Sequence, residues 1–108
     1  MDDRVREHAR TLVEWSARIE PGDDVVVEIG AGAHDLGVAV AEQLGEIGAN
    51  LLATYRSDEL RRAYLRAGDG EYTPDPDHEL ALYDRADSVL ILKGSTNTAG
   101  SADVPGER

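Results

Sequence analysis

The residues best placed to do chemistry lie in one run, Val25-Val26-Val27-Glu28-Ile29-Gly30-Ala31-Gly32-Ala33-His34. A β-branched stretch entering a Gly-x-Gly turn opens many nucleotide sites, because glycines let the backbone approach a phosphate at a helix N-terminus. A similar strand-acid-Gly-x-Gly turn cradles the amino-acid end of S-adenosylmethionine in methyltransferases. Neither pattern is completed. A dinucleotide fingerprint wants a third glycine at position 35, where the chain has Asp35, a carboxylate beside the site of a pyrophosphate. The methyltransferase turn usually wants glycine where His34 stands, and the second strand ends Thr54-Tyr55-Arg56, without the expected acid. Arg56 could instead meet a 2′-phosphate of an NADP-type ligand. Gly30, Gly32, His34 and Arg56 are therefore the candidate cofactor-binding residues, set against a plain tight turn in which the glycines bind nothing.

Other reactive side chains form no set. The three histidines, His8, His34 and His78, include no pair at the i,i+3 or i,i+4 spacing of a zinc site. His8 and His78 read as solvated helix residues, and His34 as either a polar ligand contact or a surface loop residue. There is no Gly-x-Ser-x-Gly, so no Ser/His/Asp triad is assembled. With no cysteine at all, a disulfide framework, a thiolate metal site and a cysteine nucleophile are excluded. Glu28 is the odd residue of an apolar stretch: a buried carboxylate with a partner, or a position at a sheet edge. No catalytic or metal-ligating residue emerges.

The elements around these residues alternate in type. Val5, Ala9, Leu12, Val13, Ser16 and Ile19 make one stripe of a helix over 2–19, with Trp15 at its edge and Asp2 or Asp3 as N-cap. Pro21-Gly22-Asp23 ends it, and strand Asp24 to Ile29 follows. Leu36, Ala39, Val40, Leu44 and Ile47 predict a second helix stopped by Gly48. A strand over Asn50 to Thr54 leads to a helix capped by Ser57, with Leu60, Ala63, Tyr64 and Ala67 at helical spacing. Gly68-Asp69-Gly70 and Pro74-Asp75-Pro76 bound an irregular stretch before a short helix over His78 to Arg85. The last strand is Ser88 to Leu92, and Lys93-Gly94-Ser95-Thr96-Asn97-Thr98 reads as a crevice-lining loop or a connection onward.

This order predicts an α/β three-layer sandwich around a small, mostly parallel sheet, Rossmann- or flavodoxin-like and truncated. Residues 1–94 form the domain, and 95–108 read as a connector toward something further.

Composition bounds the rest. The 108 residues, 41% hydrophobic and 31% charged, suit one globular domain that buries roughly two-thirds of its unfolded surface. No run approaches a membrane span and no leader is recognisable, so a cytoplasmic location is expected. The net charge of −11 argues against nucleic acid and anionic membranes as partners. Ten of the 11 basic residues are arginine, Lys93 being the sole lysine, and the 22 acids are scattered rather than blocked. Scatter points to a surface adapted to high salt more than to an acidic binding patch.

Taken together, Ile19-Glu20-Pro21-Gly22-Asp23-Asp24-Val25-Val26-Val27, the helix ending Gly48-Ala49, and Glu79-Leu80-Ala81-Leu82-Tyr83-Asp84-Arg85-Ala86-Asp87 resemble the start of the aminopeptidase T/aminopeptidase S metalloaminopeptidases. Val89 to Lys93, Gly94-Ser95-Thr96-Asn97-Thr98 and Ala102-Asp103-Val104-Pro105 continue the resemblance, whose most specific part is Glu79 to Pro105. The glycine turn carries no weight in it. The resemblance implies the amino-terminal domain of a metal-dependent aminopeptidase, supporting dimer assembly and walling the active-site cavity. It further implies peptide substrates and two divalent metal ions (zinc, cobalt or manganese) bound by Glu, His, Tyr and Asp residues of a larger carboxyl-terminal domain beyond this chain. No catalytic or metal residue is carried over, and this chain alone is expected not to hydrolyse peptides. The rival reading is a freestanding nucleotide- or S-adenosylmethionine-binding module. A third, blander one is an acidic interaction domain without chemistry.

Overall fold

The computed structural model describes residues 2–68, 74 and 76–94. Helix α1 spans Asp3–Arg10, capped by the Asp2 carboxylate, which accepts the Arg4 N–H at 2.9 Å. It then widens into a π-helical turn, Thr11–Ser16. The remaining elements are β1 Asp24–Ile29, α2 His34–Ile47, β2 Asn50–Tyr55, α3 Asp58–Ala67, α4 Asp77–Arg85 and β3 Ser88–Leu92.

The first helix is therefore shorter than its periodicity predicts. Past the π turn, Ala17 N–H donates to Leu12 O, Ile19 N–H donates to Val13 O, and Arg18 takes a left-handed φ of 51°. Those bonds stop the helix before the Pro21-Gly22 turn is reached. The wider turn also shifts the stripe: Val13 and Ile19 stay buried, whereas Ser16 is exposed.

The three strands among the described residues are parallel, in the order β2-β1-β3. Parallel neighbours need crossover connections, and here α2 supplies the first and α3 with α4 the second. The chain thus steps to one side of β1 and then to the other, the doubly wound arrangement of Rossmann- and flavodoxin-like sandwiches. α2 ends at Gly48, whose φ of 83° lets its N–H and that of Ala49 return to Leu44 O.

Side chains alternate across the sheet, so its two faces differ. Val25, Val27 and Ile29 of β1, with Leu90 and Leu92 of β3, pack against Ala39, Val40 and Leu44 of α2 and Ala9 and Val13 of α1. This face is the core. Gly37 of α2 sits so close to Ile29 that an added Cβ would fall 2.7 Å from its Cδ1. The second face carries Val26, Glu28, Leu52, Thr54, Val89 and Ile91, under α3 and α4. Those two helices stand off the sheet, leaving Leu60, Tyr64 and Leu80 exposed.

This asymmetry sets the stability map. Leu44→Ala, at a fully buried position, is expected to lower unfolding free energy by ~2–5 kcal/mol. Leu60→Ala, on exposed α3, should stay within about 0.5 kcal/mol of the parent. Urea unfolding of the two variants measures both.

Candidate functional site

In open parallel sheets, ligands lie outside the carboxyl ends of the strands, where the strand order reverses. That point falls here between β1 and β3. The loop after β1, Gly30 to Ala33, and the Lys93-Gly94 exit from β3 face one another there. Gly30 N–H donates to Leu92 O at 2.8 Å, which extends the β1–β3 pairing into the loop. A Cβ added at Gly94 would collide with the Ala31 carbonyl oxygen. Backbone meets backbone at the reversal point.

The four sequence candidates are neighbours along the sheet end, but their side chains diverge. Gly30 and Gly32 form the turn, Gly32 at a φ of 86°. His34 opens α2, and its Nδ1 lies 3.0 Å from the Tyr55 hydroxyl, with the two rings stacked at 6.0 Å. Tyr55 ends β2 on the core side of the sheet. Arg56 follows directly: its N–H donates to Ile29 O, but its guanidinium turns to the second face. There Nη1 donates to Glu28 Oε1 at 3.0 Å. The structure gathers the glycines and His34 at one end and sends Arg56 to another partner.

Glu28 proves to be the buried acid with a partner. The sheet-edge alternative is corrected, because β1 is the central strand and Glu28 is 6% exposed. It points into a groove of about 870 Å³ between the second face and α3–α4, shared with Arg56, Arg61, Tyr64, Tyr83 and Ile91. A second cavity of about 600 Å³ lies nearer the amino ends of the strands, between Val26, Leu52 and α4. His78 borders both. Tyr55, Arg61, Tyr64 and Tyr83 were not legible as site residues, since only the crossover geometry puts them there.

His8 is exposed on α1, as its helix position predicts. The described residues hold no group of three or more His, Asp or Glu side chains able to bind a metal ion. Residues 95–98 of the polar loop, and the connector to Pro105, lie outside the described residues. Among those described, no helix is long and apolar enough to cross a membrane. No protein-family model matches the chain, and no curated protein matches it.

Removing Arg56 would strand the Glu28 carboxylate. Because Arg56 is itself more than half exposed, Arg56→Met is expected to cost ~1–3 kcal/mol rather than the full penalty of a dry ion. Replacing both residues by apolar ones should recover that loss, since the burial cost of the charge then disappears. Chemical denaturation of the single and double variants compares them.

Proposed function

We propose that the chain is the amino-terminal, non-catalytic α/β domain of a metal-dependent aminopeptidase. One observation carries this reading. Two of the segments that resemble that family, Pro21-Gly22-Asp23-Asp24 and Ala86-Asp87, meet in space through reciprocal bonds. Asp24 N–H donates to Asp87 Oδ2 at 2.8 Å, and Asp87 N–H donates to Asp24 O at 2.8 Å. Residues 63 apart in sequence thus hold β1 and β3 in register.

In this reading the domain supports assembly and walls a cavity that lies in a further domain. Strand β2 suits such a role, because among the described residues it is an edge strand, with Leu51 and Leu52 each 45% exposed, one on either face. An open edge with apolar side chains favours pairing with another protein surface, a second copy included. The described residues do not fit the implied pair of divalent metals, so no step of peptide hydrolysis is assigned to them. Peptide substrates, a homodimer and a cytoplasmic setting belong to the parent protein in the same proposal.

The native gene product, purified from its source, is expected to have a mass several times 11.7 kDa. A mass equal to the 108-residue chain would remove the peptidase reading. The chain by itself, supplied with zinc, cobalt or manganese, should release no product from a leucyl anilide beyond the metal blank.

The acidity is part of the proposal, as adaptation to high salt. Only two ion pairs, Arg10–Glu7 and Arg56–Glu28, occur among the described residues, so most acids there face water uncompensated. Raising KCl from 0.1 M to 1 M shortens the screening length from about 10 Å to about 3 Å. The urea midpoint should rise over that range, and a midpoint that falls or stays flat would argue against the habitat reading.

A further inference from the structure

We infer that the groove between the second face of the sheet and α3–α4 binds a small zwitterion with an apolar body, a free apolar amino acid or a short apolar peptide. The starting point is Glu28. Its register partners on this face are Thr54 and Ile91, with Val26 preceding it on the same side. An apolar residue there would serve folding as well or better, because desolvating a carboxylate costs several kcal/mol that one partner rarely recovers. Arg56 makes one contact to it, Nη1 to Oε1, rather than a two-pronged pair. Among the described residues nothing donates to Oε2. An ionised carboxylate offers roughly four acceptor positions. A buried acid with unused acceptors therefore faces a groove large enough for a small molecule, about 870 Å³.

The rest of the lining selects the ligand. Arg56 and Arg61 border the same groove, and guanidinium groups match a carboxylate with two parallel hydrogen bonds. Tyr83, Val89 and Ile91 provide an apolar wall, with Val89 37% and Ile91 56% exposed. A simple anion would meet the Glu28 and Glu79 carboxylates, and a simple cation would meet two arginines and an apolar wall. A zwitterion satisfies both signs at once. Being neutral overall, it is also not repelled by the −11 field of the chain. Its ammonium donates to Glu28 Oε2, its carboxylate accepts from the arginines, and its apolar part lies against Ile91 and Tyr83.

The inference stands apart from the peptidase reading, because it needs binding by the 108-residue chain and no hydrolysis. Isothermal titration calorimetry with L-leucine and with leucyl-leucine is the direct test, and the tighter of the two identifies amino acid or peptide. Leucinamide, lacking the carboxylate, and 4-methylpentanoate, lacking the ammonium, should each bind at least about tenfold more weakly, one charged hydrogen bond being worth that much. Glu28→Gln should weaken the zwitterion by a similar factor while strengthening 4-methylpentanoate, which no longer meets the Glu28 charge and gains the freed Arg56. Arg61→Ala, on exposed α3, should narrow the gap between leucine and leucinamide. Absence of saturable heat with either zwitterion at millimolar concentration overturns the proposal, as does either truncated analogue binding as tightly as the zwitterion. Should Glu28→Gln fail to fold, the analogues on the unaltered chain and Arg61→Ala still decide the matter.

Discussion

Strand β1 is the element on which every other placement depends. Among the described residues it alone is hydrogen-bonded to a strand on both sides, and each of its corners is tied by backbone to another part of the chain. At its amino end Asn50 N–H donates to Asp23 O and Asp87 N–H to Asp24 O. At its carboxyl end Arg56 N–H donates to Ile29 O and Gly30 N–H to Leu92 O. Its core-facing residues, Val25, Val27 and Ile29, are nearly fully buried. The close seat of Gly37 on Ile29 brings α2 down onto the sheet and with it the start of that helix, His34. Without β1 in place, neither face would exist.

The two faces solve different problems. On the core face, apolar side chains from β1, β3, α1 and α2 fill the space, and hydrophobic burial is the main source of stability. On the other face, α3 and α4 leave two cavities, and a carboxylate sits among Val26, Thr54 and Ile91. Stability alone favours neither feature. A half-open face with a buried acid is the kind of local conflict expected where a fold serves a purpose beyond holding itself together.

Much of the fold was legible because its signals are local. β-branched runs mark β1 and β3 to the residue, the left-handed stop at Gly48 ends α2, and Ser57 caps α3 through the Leu60 N–H. The first helix is shorter than its apolar periodicity predicts because a π turn keeps apolar residues inside after the 3.6 period has slipped. Glu28 was legible as an anomaly but not as a solved one. Its partner Arg56 lies 28 residues away, and only the strand order shows that β1 is central. The groove was not legible at all, since it is the space left between a sheet and two crossover helices.

Where a ligand could lie in this domain follows from how the strand ends are closed. In a doubly wound sheet the crevice at the reversal point stays open when the two facing loops splay apart. Here the pairing of β1 with β3 runs on through Gly30, and Gly94 has no room for a side chain against Ala31. The turn glycines are then explained by the close approach of two backbones. The one buried charge among the described residues lies on the second face, on Glu28, paired with Arg56 under helices that stand clear of the sheet. Open space and a buried charge thus adjoin on the second face of the sheet, beside Glu28, Arg56 and Ile91.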